Sequence, residues 1–302
     1  MSKKSTILSK AKVEKKDEFY TCYEDIEVEV KHYGAKLRDK VVYCNCDDYR
    51  KSNFVKYFKD NFHKFKLKHL HATNLDTGEG SFHYSYDGIN ETITPLANGS
   101  FDSDECVDIL VSSDIVITNP PFSLFRKFVD LIFENNKHLI VIGNQNAITY
   151  KNIFTYILRN RLRVERGGFK GTVGYFYSPY ETYEDMGEKK DNRMRVNGVC
   201  WFSSLPNKRG SATKGFTKQY NPNHYKTFDD TQVIFVETVR DIPQDYTGLM
   251  GVPITYLYEH DENEYELIGK VSSAGFMGND SYSFRSIING ERKYHRVVIQ
   301  KV

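Results

Sequence analysis

The chain has 302 residues and 39% hydrophobic residues, enough for a packed core, and a net charge of +2 that does not by itself indicate a nucleic-acid-binding protein. No apolar run approaches the ~20 residues that a membrane-spanning helix needs. Residues 1–16 are polar and rich in lysine, without the apolar segment of a secretion signal, and we expect a flexible arm. The odd number of unevenly spaced cysteines predicts reduced thiols in a cytoplasmic protein.

Helix-like and strand-like segments alternate through the first half of the chain. This alternation predicts a mostly parallel α/β sheet with helices on both faces, which binds ligands at the carboxyl ends of its strands. Three strand ends carry polar residues, at Cys44–Asp48, Asn119–Phe122 and Gly143–Asn146. In chain order the pattern predicts helix Asp25–Tyr33, strand Lys40–Cys44, helix Asn53–Phe62, strand Leu67–Ala72, helix Asp104–Leu110, strand Ile115–Thr118, helix Phe125–Phe133, strand His138–Ile142 and helix Lys151–Arg159.

After about Gly167 the pattern changes to short strands with long polar loops. We expect this half to be β-rich and its first strands to complete the sheet of the first half. The predicted organisation is an arm over 1–16, an α/β domain over 17–205 and a β-rich region over 206–302. The predicted strands are Thr172–Tyr177, Gly198–Phe202, Gln232–Glu237, Tyr265–Ile268 and Arg296–Gln300.

The tetrapeptide Asn119-Pro120-Pro121-Phe122 directly follows the predicted buried strand Ile115–Thr118. Each proline fixes its own φ angle, lacks an N–H and biases the preceding residue toward an extended conformation, so the carbonyls of Asn119 and Pro120 are held in place. An asparagine side chain and a neighbouring carbonyl can accept both hydrogens of one exocyclic amine, and Phe122 offers a face for a base. The same turn could also connect a strand to a loop without any chemistry.

The amino nitrogen of adenine is a poor nucleophile because its lone pair is delocalised into the ring. Two fixed acceptors on its hydrogens would localise that lone pair, which is preorganised electrostatic stabilisation and needs no strongly basic residue. The turn therefore favours a site that holds and activates a planar amine.

Basic side chains concentrate in four stretches, within 51–68, 159–166, 189–195 and 208–218. Such stretches could follow a phosphate backbone, although each is also compatible with a solvated surface. The last two lie in polar, glycine-containing stretches, where a binding loop is more plausible than a helix face. Our candidates for DNA contacts are Asn146, Arg193, Arg195, Lys208, Arg209 and Lys214.

Cys44 and Cys46, with the downstream histidines His63, His69 and His71, include the ligand types of a zinc site. No second close cysteine pair accompanies them, and polar residues on a lysine-rich surface account for the histidines more simply. We therefore expect no metal.

Several segments together resemble the adenine-specific DNA methyltransferases of the EcoRI type. The resemblance covers nearly the whole chain after the arm. The Asn-Pro-Pro-Phe turn is shared with methyltransferases that act on RNA and on protein glutamine, whereas the later segments are more specific. The segments are Asp17–Thr21, Val41–Asp48, Asn119–Phe122, Ile142–Tyr150, Cys200–Phe202 and Met250–Thr255.

The resemblance implies a Rossmann-like, S-adenosylmethionine-dependent methyltransferase sheet and a β-rich C-terminal target-recognition region. It implies transfer of a methyl group to N6 of an adenine that is flipped out of duplex DNA, with Asn119, Pro120, Pro121 and Phe122 as the catalytic turn. The residues that it implies for the cofactor are Phe19, Tyr20, Thr21, Cys44, Asn45, Cys46, Asp47, Asp102 and Asn119.

Two of these roles have alternatives, and two features depart from the common pattern. Asp102 could instead be the N-cap of a helix over Ser103–Leu110, and the two cysteines could be small buried hydrophobes. Cysteines and an asparagine stand where most methyltransferases have a glycine-rich loop. The acidic residue that usually ends the second strand is missing, and Asn74 and Asp76 are the candidates in its place.

We expect a monomer that acts on duplex DNA, with no membrane partner, in a system that could include a cognate restriction endonuclease. Two other functions stay open, an RNA adenine methyltransferase and a non-catalytic DNA-binding protein with a methyltransferase fold. The long region after the catalytic turn favours DNA as the substrate.

Overall fold

The computed structural model of the protein describes residues 20–165, 198–206, 216–279 and 281–302, with the backbone alone at 175–177 and 193–195. The chain divides into two compact units, Met1–Ile153 with Leu162–Lys208 and Phe154–Arg161 with Arg209–Val302. The predicted boundary between 205 and 206 lies near the sequence position where the first unit ends, although Phe154–Arg161 groups with the second unit.

Within its described residues, the first unit contains an eight-stranded mixed sheet and a small three-stranded sheet. The small sheet consists of β1 (Tyr20–Thr21), β9 (Tyr175–Tyr177) and β10 (Arg193–Arg195). The strands of the large sheet are β2 (Val41–Cys44), β3 (His69–Thr73), β4 (Ser81–Tyr86), β5 (Glu91–Leu96), β6 (Ile115–Thr118), β7 (His138–Asn144), β8 (Arg163–Glu165) and β11 (Val199–Ser203).

The order of strands across the large sheet is β5-β4-β3-β2-β6-β7-β11-β8. The pairs β3–β2, β2–β6 and β6–β7 are parallel, and the pairs toward both edges are antiparallel. The prediction of a mostly parallel sheet is therefore right for the centre and wrong for the flanks. One flank is a hairpin whose short turn after Tyr86 allows only antiparallel pairing. The prediction that the first strands of the second half complete this sheet is confirmed for Gly198–Phe202, which forms β11, and wrong for Thr172–Tyr177, whose strand β9 belongs to the small sheet.

The helices of the described chain begin and end close to their predicted limits. The predicted helix Asn53–Phe62 is interrupted at Asn61 and continues as a separate short helix. The predicted helix Asp25–Tyr33 gives way to a 3₁₀ turn over Lys31–Lys36. The helices are α1 (Tyr23–Val30), α2 (Asn53–Asp60), α3 (Phe62–Phe65), α4 (Asp104–Ser112), α5 (Phe125–Glu134) and α6 (Lys151–Leu158).

Helices cover both faces of the large sheet, as predicted. Neighbouring strand residues point to opposite faces, and Trp201 and Phe202 of β11 show where each face packs. The Trp201 ring lies 6.1 Å from that of Phe54 in α2, whereas the Phe202 ring lies 4.9 Å from that of Phe125 in α5. All four side chains are buried, so the central strands are shielded from water on both sides, as a parallel sheet requires.

The described part of the second unit is β-rich, which confirms the prediction for this half of the chain. A five-stranded sheet has the order β12-β13-β18-β14-β15, and its core includes Phe228, Phe235, Val271 and Val298. The strands are β12 (Ile234–Phe235), β13 (Met250–Pro253), β14 (Tyr265–Ser272), β15 (Gly275–Gly278), β16 (Ile287–Ile288), β17 (Glu291–Arg292) and β18 (Arg296–Lys301), of which β16 and β17 form a separate pair.

All five cysteines lie within the described residues and are free thiols, four of them buried. In the part of the chain that the structure describes, helices are too short or too polar to cross a membrane.

Gly143 of β7 offers a test of how tightly the sheet packs on α5. A Cβ atom at this position would lie 2.4 Å from Cε2 of Phe125 and 2.9 Å from Cε2 of Phe202. We expect Gly143→Ala to lower the free energy of unfolding by about 1–3 kcal/mol, measured by urea denaturation, because a packed core has no room for the methyl group.

The control is Phe125→Leu, which removes the ring that the new methyl group would strike. Contacting residues show non-additive effects, so the double variant should lose less stability than the two single variants together. Strictly additive losses would show that this contact does not limit the space at Gly143.

Candidate active site

The carboxyl ends of β3, β2 and β6 lie at one edge of the large sheet, because these neighbouring strands are parallel. A cleft at this edge contains about 900 Å³ of space, including space open to solvent. Its lining combines the loops after the three strands with β1 and the loop before α4. The lining residues are Tyr20, Thr21, Asn45, Cys46, Asp47, Asp48, Ser52, Asn53, Phe54, Asn74, Leu75, Thr77, Gly99, Ser100, Phe101, Asn119, Pro121 and Leu124.

Asp47, in the loop after β2, connects the three strand ends. Its backbone N–H donates to the carbonyl of Thr73, the last residue of β3, at 2.8 Å. Its carboxylate is buried, and Oδ1 accepts a hydrogen bond from Ser52 Oγ at 2.6 Å while Oδ2 accepts one from Thr118 Oγ1 at 2.5 Å. Ser52 is in turn the N-cap of α2, where its Oγ accepts the N–H of Phe54 at 3.0 Å. The loop is therefore fixed by hydrogen bonds rather than by glycines.

A close approach between two backbone segments occurs at Gly99, in the loop before α4. A Cβ atom at Gly99 would lie 1.9 Å from the carbonyl oxygen of Asn74, so only glycine fits. The Asn98-Gly99 dipeptide is a turn signal in the sequence, but nothing local indicates that it crosses the end of β3. Ser52, Ser100 and Phe101 are further cleft residues that the sequence analysis missed.

Asn74 lines the cleft and also organises the loop that follows it. Its Nδ2 donates to the carbonyl of Gly80 at 2.8 Å, and its Oδ1 accepts the N–H of Phe82 at 3.1 Å. Asp76 accepts the N–H groups of Gly78 and Gly80 and is not among the cleft-lining residues of the described chain. Of the two candidates for a ribose contact, Asn74 is the one in the cleft, and its role stays a prediction.

The Asn-Pro-Pro-Phe turn begins where β6 ends, at the predicted position. Asn119 and Pro121 line the cleft, whereas Pro120 is buried. Phe122 is partly buried against the hydrophobic core and begins a 3₁₀ turn, in which Leu124 N–H donates to the Pro121 carbonyl at 3.0 Å. The structure therefore brings Asn119 to the same cleft as the loops after β2 and β3. Base stacking by Phe122 stays a prediction.

Most of the residues implied for the cofactor lie together in the cleft. They are Tyr20, Thr21, Asn45, Cys46, Asp47 and Asn119, while Phe19 lies outside the described residues. Cys44 is fully buried in β2, as its alternative interpretation expected, and burial raises the pKa of its thiol so that it stays neutral. Within the described lining Cys44 does not occur.

Asp102 has a different environment from the one that the resemblance implies. Lys127 pairs with its carboxylate and Ser100 Oγ donates to it, and these two bonds lower the pKa of Asp102. It does not belong to the described cleft lining, although its neighbours Ser100 and Phe101 do. The alternative that Asp102 is a helix N-cap is wrong, because Ser103 caps α4 by accepting the N–H of Cys106 at 3.3 Å.

The predicted DNA contacts are only partly within the described chain. Asn146 is exposed in a 3₁₀ turn after β7, where its N–H donates to Oδ1 of Asn144 at 2.9 Å. Arg193 and Arg195 belong to β10, of which the structure describes the backbone alone. Lys208, Arg209 and Lys214 lie outside the described residues.

The histidines of the zinc alternative occupy β3 and its neighbourhood. His71 Nδ1 lies 3.0 Å from Nε2 of His83 on β4, and burial lowers the pKa of His71 to about 3. Over the described residues, no group of three His, Cys, Asp or Glu side chains is arranged to hold a metal ion.

Two buried polar atoms indicate that the cleft suits a polar ligand. Thr21 and Asn45 line the cleft, and Thr21 Oγ1 and Asn45 Nδ2 are buried and have no hydrogen-bond partner among the described residues. A buried polar group without a partner costs about 1–3 kcal/mol, so a ligand that bonds to both atoms would recover that cost. S-adenosylmethionine carries a carboxylate, an ammonium group, ribose hydroxyls and an adenine, and therefore fits the donor and acceptor set of this cleft.

A sheet with a parallel centre, helices on both faces and a polar cleft at its carboxyl edge defines a Rossmann-like methyltransferase fold when an Asn-Pro-Pro-Phe turn lies in that cleft. The family model described as "Adenine-specific methyltransferase EcoRI" matches residues 7–94 and 80–302. The chain therefore belongs to the EcoRI family of adenine-specific methyltransferases.

Three relatives are similar to this chain along nearly its whole length. The Type II methyltransferase M.EcoRI of Escherichia coli is 36% identical over 97% of this chain and 96% of its own. M.MpnI of Mycoplasma pneumoniae is 35% identical over 97% of each chain, and M.MgeORF184P of Mycoplasma genitalium is 33% identical over 97% of this chain and 98% of its own. No solved structure matches.

Thr21 allows a test in which stability and ligand affinity change in opposite directions. Thr21→Val keeps the shape of the side chain and removes a hydroxyl that is buried without a partner in the described structure. We expect the ligand-free protein to be as stable as the wild type or more stable, because the desolvation cost of the hydroxyl disappears.

The affinity of the same variant for S-adenosylmethionine should fall by about 2- to 10-fold, the worth of one hydrogen bond. Thermal denaturation and titration calorimetry measure the two effects. Thr21→Ser keeps the hydroxyl and is the matched control. Unchanged affinity in Thr21→Val would remove this atom from the ligand site.

Proposed function

We propose that this protein transfers the methyl group of S-adenosylmethionine to the N6 amino group of an adenine in duplex DNA. The observation that carries the proposal is that Asn119 shares one cleft with the loops after β2 and β3. An amine held by the catalytic turn and a methyl donor held by the two loops would then be neighbours. Membership of the EcoRI family of adenine-specific methyltransferases supports the same reaction.

The residues that would hold the methyl donor are those of the cleft that do not belong to the catalytic turn. Thr21 and Asn45 offer buried atoms that have no hydrogen-bond partner among the described residues, and Gly99 lets the loop before α4 pack against the carbonyl of Asn74. When it is bound, S-adenosylmethionine supplies an electrophilic sulfonium methyl group. The protein's own residues would then bind and orient the amine and exclude water from it.

Asn119 and Pro120 are proposed to accept the two hydrogens of the adenine amine. The side-chain oxygen of Asn119 and the carbonyl of Pro120 can each accept one N–H, and this draws the nitrogen toward a tetrahedral shape. Both acceptors belong to a turn stiffened by two prolines, so little reorganisation is needed when the amine becomes nucleophilic. Positioning then supplies much of the acceleration.

The adenine must leave the duplex to reach this turn, because its amine is otherwise paired and stacked. Extrusion of one base costs a few kcal/mol, which contacts to the flipped base and to the DNA backbone must offset. Leu124, at 44% exposure, lines the same cleft as Asn119, and we propose that the base enters past it. We propose that residues 206–302 supply the target-recognition contacts.

Duplex DNA is favoured over RNA as the substrate by the relatives, which are Type II methyltransferases, the type found in restriction–modification systems. We therefore propose a cytoplasmic monomer that modifies one strand at a time, with a cognate endonuclease as a separate member of the system.

Incubation with labelled cofactor and either duplex DNA or RNA separates these substrates, and sequencing of host DNA for modified adenine identifies the target. Calorimetry with S-adenosylmethionine distinguishes a DNA or RNA methyltransferase from a protein that binds DNA without catalysis.

Asn119 is the residue on which the proposed chemistry depends most. Asn119→Ala should lower kcat on duplex DNA by about 10²–10³-fold or more, because one of the preorganised groups for the amine is lost. Binding of S-adenosylmethionine should largely survive. Transfer of radiolabelled methyl groups and calorimetry provide the two measurements.

Asn119→Asp is the matched variant, since its carboxylate still presents an acceptor oxygen at the same place. It should keep clearly more activity than the alanine variant. Near-normal turnover by Asn119→Ala would disprove the assignment of the turn.

Arg126 and Tyr150 form an exposed pair next to the catalytic turn that suits nucleic acid. The Arg126 guanidinium lies 4.7 Å from the centre of the Tyr150 ring, and Tyr150 is 39% exposed. Arg126 is in the first turn of α5, directly after the 3₁₀ turn of the Asn-Pro-Pro-Phe segment. We propose that this pair contacts the DNA backbone beside the flipped base.

Arg126→Ala should weaken DNA binding by a similar factor for every sequence and reduce the salt slope of binding by about one unit, the signature of one lost phosphate contact. Lys64→Ala is the control, since Lys64 also lies over an aromatic ring, that of Phe65, but on α3. Fluorescence anisotropy across a salt series gives both quantities. Equal effects of the two variants would contradict a specific role for Arg126.

A further inference from the structure

The buried carboxylate of Asp47 joins two hydroxyls that belong to different parts of the site. One oxygen accepts from Ser52 Oγ at 2.6 Å, at the start of α2, and the other from Thr118 Oγ1 at 2.5 Å, at the end of β6. Hydrogen bonds to a carboxylate are stronger than those between neutral groups. The three side chains Ser52, Asp47 and Thr118 form what we call the hydroxyl–carboxylate chain.

We propose that the hydroxyl–carboxylate chain is a positioning device, which fixes the catalytic Asn119 relative to the loop that holds the methyl donor. The inference rests on the proposed function. It gives Asp47 a role that differs from direct contact with the cofactor, and it makes Thr118 and Ser52 positioning residues for the reaction.

The position of Thr118 influences that of Asn119, because Asn119 is the next residue in the sequence. The three preceding residues of β6, Ile115–Ile117, are apolar and buried, as expected of a central parallel strand. Thr118 is equally buried, yet it carries a hydroxyl, and that hydroxyl donates to Asp47. A buried threonine here fixes the last residue of β6 by a directional bond as well as by packing.

Ser52, at the other end of the hydroxyl–carboxylate chain, is also connected to the cleft. Ser52, Asn53 and Phe54 all line the cleft, and Asn53 Nδ2 donates to the Thr21 carbonyl at 2.8 Å. Asp47 also donates its backbone N–H to the end of β3. A shift of this loop would therefore move the carboxylate, and with it Thr118.

The decisive comparison is Thr118→Val against Thr118→Ser. Valine keeps the shape of threonine and removes the hydroxyl, whereas serine keeps the hydroxyl. We expect Thr118→Val to lower kcat on duplex DNA by about 10- to 100-fold, since misplacement of a catalytic group by about 1 Å can cost that much. Its Kd for S-adenosylmethionine should stay within about threefold of the wild type, and Thr118→Ser should recover kcat to within about threefold.

A purely structural role for the hydroxyl predicts a different result. Both variants would then have melting temperatures that differ from that of the wild type, while their kcat at saturating substrate stayed at the wild-type value. A kcat of Thr118→Val within about twofold of the wild type overturns the proposal, and so does equal impairment of Thr118→Val and Thr118→Ser, because the hydroxyl would then be irrelevant.

Ser52→Gly keeps the proposal testable if Thr118→Val does not fold. Glycine is nearly as good an N-cap as threonine, so α2 should persist, while the hydroxyl that holds the first oxygen of Asp47 is lost. We expect a several-fold decrease in kcat with S-adenosylmethionine affinity within about threefold of the wild type, and an unchanged kcat overturns the inference.

Nuclear magnetic resonance separates failure of this inference from failure of the proposed function. The side-chain amide signal of Asn119, assigned from its loss in Asn119→Ala, should shift in Thr118→Val and not in Thr118→Ser, whether or not the protein methylates DNA. If the wild type methylates no adenine but the signal shifts, the proposed function fails and the positioning role stands. If the wild type is active and the signal is unmoved, the positioning role fails.

Discussion

Parallel pairing of β2 with β6 is the constraint on which the rest of the site depends. It places Val42 beside Ile115 and Tyr43 beside Val116, so both strands end at the same edge of the sheet. The loop after β2 and the turn after β6 are then neighbours, which is the geometry that open α/β sheets use for ligands. Antiparallel pairing would put these two segments at opposite edges, and no choice of side chains would reunite them.

The loop after β2 keeps its shape without glycines. Gly99, in the loop before α4, packs against the carbonyl of Asn74 on another side of the cleft's lining. The loop after β2 is left free to carry larger side chains, and hydrogen bonds of Asp47 fix it. The usual glycine signature is therefore absent from the expected place, although the fold is the one that normally carries it.

The sequence predicted the central strands and the position of the Asn-Pro-Pro-Phe turn well, since both are encoded locally. Ile115–Thr118 is a run of β-branched residues, and two prolines define the turn that follows. The hairpin of β4 and β5 was missed because Glu91–Leu96 is almost entirely exposed and lacks a buried alternation. Gly99 was missed for another reason, because its contact with Asn74 joins segments that are 25 positions apart and no local periodicity encodes it.

Within the described lining of the cleft, the carboxylates of Asp47 and Asp48 hold hydrogen bonds to neighbouring side chains. The carboxylate of Asp47 accepts hydrogen bonds from two hydroxyls. The carboxylate of Asp48 accepts hydrogen bonds from Arg50 Nε at 2.9 Å and from Arg50 Nη2 at 2.7 Å. Partial burial alone would raise the pKa of Asp48, but the bonds from Arg50 outweigh it and lower that pKa. Asp48, whose pKa is lowered by Arg50, is therefore a weak general base near neutral pH. The proposed activation of the amine relies on acceptors held in place, so in that proposal the rigidity of the turn matters more than the basicity of its surroundings.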